Sequence, residues 1–258
     1  GVNYVDTAYP YHHGASESFL GRALQDGYRE RVRLASKMPC WEIEVVEDFD
    51  RFLDEQLEKL QTDHVDFYLL HGLREDRWHR VHDLDVLTWA EKAIADGRIG
   101  HLGFSFHDCY ELFEEIVDAS DLWTLCQIQY NYMDVAYQAG VRGLEYASSK
   151  DLAVVIMEPL RGGQLTNQVP SSIQAIWDGA SIERTPADWA LQWLWNQPAV
   201  SVVLSGMSTM EHVEENVESA ARSRPGLLTE GELTTIGRVQ AQYRSLCPLP
   251  CTGCLYCL

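Results

Sequence analysis

The sequence predicts an α/β protein of the (β/α)8, or TIM-barrel, type, with its first βα unit missing from this chain. Three observations predict it. Strand-like and helix-like stretches alternate along the chain, which leaves a barrel or a doubly wound sheet. The strand-like runs are apolar almost throughout, as parallel strands covered on their outer face are. No G-x-G-x-x-G follows an early strand, which weighs against the doubly wound dinucleotide fold.

The elements follow in order. Seven strands are expected: "VNYVDTA", "RVRLASKM", "HVDFYLLHG", "HLGFSFH", "LCQIQYNY", "LAVVIMEPL" and "VSVVLSGM". Between them lie amphipathic stretches. "VVEDFDRFLDEQLEKLQ" places Val46, Phe49, Leu53, Leu57 and Leu60 on one helical face. "DLDVLTWAEKAIADGR" stops at Gly97. "TPADWALQWLWNQP" opens with Thr185 as cap and Pro186 in the first turn. "STMEHVEENVESAARS" reads as a capping box of Ser208 with Glu211. "TEGELTTIGRVQAQYRSL" is a last helix before a cysteine-rich tail. Residues 1–246 are thus expected to form the barrel and 247–258 the start of a truncated extension.

Composition excludes some functions. A net charge of −19 argues against nucleic acid, because phosphate binding needs a basic stripe. No apolar run is long enough to cross a bilayer and no charged-then-apolar leader opens the chain, so a soluble, cytoplasmic protein is expected. Cys40, Cys109 and Cys126 read as ordinary buried thiols, which suits a reducing compartment.

In a (β/α)8 barrel the chemistry sits at the C-terminal strand ends. Here those ends carry Asp6, then Tyr11 in the following loop, then Lys37 and His71, from three consecutive strands. Each alone has a structural explanation: a turn cap, a core ring, a surface charge, a satisfied imidazole. Together they can protonate an oxygen while hydride reaches the adjoining carbon. A phenol is a weak acid. An ammonium beside it stabilises the phenolate, a buried aspartate orients the ammonium, and a histidine holds the carbonyl oxygen.

With those residues the chain resembles the aldo/keto reductase family over nearly its whole length. "VDTAYPY" is similar to the family's aspartate-to-tyrosine motif, whose five-residue step selects Tyr11 over Tyr9. "LASK" and "VDFYLLH" correspond to its lysine and histidine, Lys37 and His71. The resemblance implies Ser105 in "GFSFH" and Gln127 in "QIQYN" at the nicotinamide carboxamide. It implies "MEPLRGG", with Met157, Glu158, Pro159, Leu160 and Gly162, beside the nicotinamide and pyrophosphate. "LSGMSTMEHVEEN" corresponds to the adenosine-phosphate segment, with Ser205, Gly206 and Ser208, and with Glu215 and Asn216 at the adenine. Phe106 and Met157 stand where many members have asparagine and an aromatic ring, as in a subgroup with a ferredoxin-like C-terminal extension. NADP is the cofactor the resemblance implies. NAD stays open, because Gly206 to Asn216 holds no Lys or Arg for a 2′-phosphate.

The tail "CPLPCTGCLYCL" spaces Cys251, Cys254 and Cys257 two residues apart, like the start of an iron–sulfur run. The resemblance implies a 4Fe-4S cluster whose fourth ligand lies beyond Leu258, or is Cys247. A four-cysteine zinc site and unliganded thiols remain alternatives.

The expected activity is interconversion of a small-molecule carbonyl and alcohol by NAD(P)-dependent hydride transfer, with Tyr11 as general acid/base. The rival is a cofactor-binding redox sensor without turnover; a third reading adds an electron-transfer partner served by the tail. Trp41, Trp78 and Trp89 are candidate pocket walls, Trp89 reading more as core.

Overall fold

The computed structural model describes residues 2–246. In chain order the elements are β1 (Tyr4–Asp6), α1 (Ser16–Ala23), β2 (Arg33–Met38), α2 (Glu47–Leu60), β3 (Val65–Leu73), α3 (Glu75–Asp83), α4 (Val86–Ala95), β4 (Ile99–Phe106), α5 (Tyr110–Asp118), β5 (Trp123–Gln129), α6 (Gly140–Ser149), β6 (Ala153–Met157), α7 (Ser171–Asp178), α8 (Pro186–Trp195), β7 (Val200–Val203), α9 (Met210–Arg222) and α10 (Glu230–Leu246). All seven strands pair in parallel in sequence order, β1 to β7. Each expected strand run holds one of them.

The sheet curls. Ala35, Leu69, Leu125 and Val155 form one buried cluster, and both Tyr4 of β1 and Val202 of β7 pack on it. The two edge strands can reach a common cluster only if the sheet bends round it. Side chains two apart on a strand share a face, so the next inward layer is Asp6, Lys37, His71, Ser105, Gln127 and Met157, one from each of β1 to β6. An apolar floor and the polar layer above it follow from this period of two.

By internal packing the described chain divides into two units. The first holds the sheet: residues up to Tyr130, Asp134–Met157 and Ala199–Gly206. The second is Asn131–Met133, Glu158–Pro198 and the residues from Met207 on. Its core gathers Tyr132, Ile173, Trp177, Trp189, Ile236 and Val239, with Trp177 stacked on Trp189 at 5.0 Å. Half-buried Arg184 ties α8 to α10, reaching Asp188 at 3.1 Å and Glu232 at 2.8 Å.

Caps explain several boundaries. Thr185 accepts a hydrogen bond from the Asp188 backbone N–H with Pro186 next in the chain, as expected. Gly97 closes the turn after α4 in the left-handed region, φ 79°. The cap of α9 differs from expectation. Thr209, extended at φ −133°, accepts from the His212 N–H, and the helix starts at Met210. Glu211 then stands one residue too early to reach back to the cap, so the Ser208–Glu211 box does not form.

On α2, Phe49, Leu53, Leu57 and Leu60 are buried as expected, but Val46 precedes the helix and is half exposed, while Phe52 and Gln56 join the buried face. Trp78 and Trp89 belong to the core: their indole N–H groups donate to Glu115 and Asp50 at 3.0 Å each. Cys40 and Cys126 are buried, whereas Cys109 is exposed, because it precedes α5 in extended backbone instead of packing beneath it.

Helix α1 rests on α2 through Gly21. A Cβ there would run into the Lys59 carbonyl oxygen and lie 2.9 Å from Leu60 C. Both are backbone atoms and cannot swing away. Gly21→Ala is therefore expected to lower stability by about 1–3 kcal/mol, read as a fall in the urea midpoint at unchanged slope.

Candidate active site

Four side chains meet at the C-terminal ends of β1, β2 and β3. Lys37 is fully buried. Its ammonium donates to Asp6 Oδ2 at 2.6 Å, to the Thr7 carbonyl at 2.7 Å and to Tyr11 Oη at 3.4 Å. Those bonds use all three of its protons. Because Lys37 donates to Tyr11, the phenol keeps its own proton to give elsewhere. The Tyr11 ring meets the His71 ring edge-on at 5.8 Å.

Backbone geometry aims Tyr11. Its N–H donates to the Ala8 carbonyl at 3.1 Å, and its carbonyl accepts from Gly14 and Ser16. His12 and His13 are left-handed at φ 52° and 56°, followed by Gly14 at φ 82°. Two consecutive non-glycine residues in that region carry strain. Tyr9 points away; its hydroxyl donates to Glu55 at 3.2 Å.

Burial pushes the Asp6 carboxyl up, while the Lys37 ammonium pulls it back. Burial first, then the charges of Lys37, His107 and Arg77, drive His71 from its ordinary value down to about 2. His71 is therefore a neutral imidazole, with one N–H to donate. The unfolded chain takes up a proton at His71 below about pH 6.5 that the fold refuses. Stability from this group is thus full above that pH and lost as pH falls, by about 1.4 kcal/mol per unit. His107, also depressed by burial, adds a parallel loss. His71→Asn is expected to flatten the urea-derived stability slope between about pH 5 and 6.5 by close to one proton; an unchanged slope would show that the imidazole is not held neutral.

Behind Lys37 lies a polar network that the sequence pattern did not reveal. Fully buried Glu17 accepts from Ser36 Oγ at 2.6 Å and from Gln56 Nε2 at 2.5 Å. Gln56 also donates to the Lys37 carbonyl at 3.0 Å and accepts from Tyr68 at 2.6 Å. Burial pushes the Glu17 carboxyl up. Only the unexpected polar residue on the apolar face of α2 hinted at it.

The remaining layer suits an amide ligand. Ser105 Oγ accepts from the Gly72 N–H at 2.7 Å, leaving its own proton to donate. Gln127 Nε2 lies 3.6 Å from Met157 Sδ, and its buried Oε1 has no hydrogen-bond partner among the described residues. Ser205 and Gly206 follow β7 in the same unit. Glu158, Pro159, Leu160, Gly162, Ser208, Glu215 and Asn216 belong to the second unit. There Glu158, Arg161, Gly162 and Gly163 all take positive φ, and Asn131 Nδ2 donates to the Glu158 carbonyl at 3.1 Å. Glu215 is exposed on α9 and Asn216 half-buried. Among the described residues no three His, Cys, Asp or Glu side chains are grouped to hold a metal. Cys247, Cys251, Cys254 and Cys257 lie outside the described residues. No described helix is long and apolar enough to cross a membrane.

The aldo/keto reductase family profile matches residues 1–225. A methylglyoxal reductase of Escherichia coli is 29% identical over 230 residues, 84% of this chain and 73% of that protein. L-galactose dehydrogenase of Arabidopsis thaliana is 28% identical over 240 residues, with the same coverages of 84% and 73%. The structure of an aldo-keto reductase from Klebsiella pneumoniae in complex with NADPH superposes with a TM-score of 0.74 at 26% identity, covering 93% of this chain and 80% of that one. Fold and relatives together define an NAD(P)H-dependent oxidoreductase. The chain belongs to the aldo/keto reductase family.

Proposed function

We propose that the protein reduces a small-molecule aldehyde or ketone to the alcohol, or runs the reverse, with Tyr11 as general acid and base. The carrying observation is the Lys37 ammonium, buried and bonded to both Asp6 and Tyr11. When bound, the nicotinamide supplies hydride to the carbonyl carbon. Ser105 and Gln127 would hold its carboxamide, and the unpartnered Gln127 Oε1 fits an amide N–H. The neutral His71 N–H holds the carbonyl oxygen near Tyr11. Tyr11 gives that oxygen its proton, and Lys37, anchored by Asp6, stabilises the phenolate left behind. In oxidation the same phenolate takes the proton back.

NADP is the proposed cofactor, supported by the structural relatives solved with NADPH and with NADP. Met157 and the loop from Glu158 to Gly162, then Ser205, Gly206, Ser208, Glu215 and Asn216, are its proposed further contacts. Steady-state rates with methylglyoxal and a panel of aldehydes and ketones, with NADPH and NADH in turn, test the reading. Cofactor binding with no substrate reduced would replace it with a sensor role. A 4Fe-4S role for Cys251, Cys254 and Cys257 rests on their spacing alone. Iron and sulfide analysis after anaerobic purification is expected to find both in a chain extended beyond Leu258 and neither in residues 1–258; zinc without sulfide in the extended chain would replace the cluster.

A further inference from the structure

Beside the tetrad lies a guanidinium that the proposed chemistry does not use. Arg77, half-buried in the first turn of α3, stacks over the Trp41 ring with Cζ 5.1 Å from its centroid. Trp41 in turn packs on His71, ring centroids 5.2 Å apart. Arg77 Nη1 donates to the Gly72 carbonyl at 2.8 Å, in a left-handed, φ 63° kink of β3. The stack and that bond fix the guanidinium plane and leave its other N–H groups uncommitted among the described residues. Among the described residues no ion pair involves Arg77, although the chain has 39 acidic side chains to 20 basic.

Asp108 accepts from the Glu75 N–H at 3.0 Å, so it caps α3 and the helix terminus is taken. Glu75 and Asp76 on α3 are exposed. Arg74 adds a second cation, and His107 lies opposite, bonded to Gln138 at 3.4 Å. Deeper in, Lys37 is paired with Asp6, while Arg74 and Arg77 make no ion pair among the described residues of a chain of net charge −19.

Building on the reductase reading, we infer that the substrates this site selects are carbonyl compounds carrying an anionic group, carboxylate or phosphate, several bonds from the carbonyl, with Arg77 as the group that binds the anion and Trp41 as the wall between the anion and the carbonyl. A guanidinium held by a backbone carbonyl and an aromatic face is preorganised for an oxoanion, which it binds through paired N–H groups. Burial is the main cause of the lowered proton affinity of His71, and Lys37, His107 and Arg77 add to it in that order.

The test compares 4-carboxybenzaldehyde with its methyl ester, and glyceraldehyde 3-phosphate with glyceraldehyde, on the wild type, Arg77→Gln and Arg77→Lys. In the wild type, kcat/KM is expected to favour at least one anion over its neutral partner by about 10–100-fold, the worth of one charge-assisted hydrogen bond. The carboxylate and phosphate arms tell which oxoanion fits. Arg77→Gln is expected to bring that ratio close to one, mainly through KM, and Arg77→Lys to restore part of it. A ratio near one in the wild type, or equal losses on both partners in Arg77→Gln, would overturn the inference. Should none of these carbonyls be reduced, the reductase reading falls separately. The anion site is then decided by calorimetric binding of 4-carboxybenzaldehyde against its ester, where equal affinities in the wild type would refute it.

Discussion

Tyr11→Phe is expected to lower carbonyl-reduction turnover by about 10²–10⁴-fold, the usual worth of a general acid. The substitution removes one oxygen and leaves the ring, so its edge-on contact with His71 at 5.8 Å persists. The residues proposed to hold the cofactor are untouched, so affinity for NADPH should change little. Loss of turnover with cofactor binding retained separates proton supply from binding. Wild-type turnover in Tyr11→Phe would shift the acid role elsewhere. His71 is a poor substitute, because a neutral imidazole with so low a proton affinity donates a hydrogen bond and not a proton.

Lys37→Met is expected to cost both activity and stability. Turnover should fall on a similar scale, since the phenolate loses its counter-charge. Stability should fall too, because Asp6 keeps its buried carboxyl without the ammonium 2.6 Å away. Removing one partner of a buried pair costs about 3–5 kcal/mol. The sign of the pH dependence follows from the burial that raises Asp6. Without Lys37 the carboxyl escapes part of the cost by taking a proton, so the deficit should be smaller near pH 5 than near pH 8. Denaturant titrations at both pH values check this. Lys37→Met with Asp6→Asn should recover stability without recovering turnover. Recovery of turnover by the pair would mean that the ammonium acts only as a structural partner of Asp6.

The sheet was legible because parallel strands covered on both faces are written as apolar runs, and its polar layer because side chains repeat every two residues. That parity alone puts Lys37 on the same face as Ala35, and His71 on the same face as Leu69. Helix caps were legible where a proline confirmed them, as at Thr185–Pro186, and slipped by one residue at Ser208–Thr209, where either hydroxyl could cap. Exposure was harder to read. Cys109 and Val46 sit at helix starts, where one residue decides between packing and solvent. The Glu17–Ser36–Gln56–Tyr68 network left only Gln56 on the apolar face of α2 as a trace, since its members come from separate elements and meet only after folding. The contact of Arg77 with Trp41 was hidden for the same reason.

The central claim is hydride transfer to a carbonyl carbon at this site, and an isotope experiment tests it most directly. The wild-type protein is incubated with NADPH carrying deuterium at both hydrogens of the nicotinamide C4 and with methylglyoxal or another accepted carbonyl, and the product is examined by mass spectrometry and NMR. The expected result is an alcohol with one deuterium on the carbinol carbon and an equal amount of NADP formed, both nearly abolished in Tyr11→Phe. Cofactor bound but not oxidised across the whole panel, or alcohol formed without deuterium on that carbon, would contradict it.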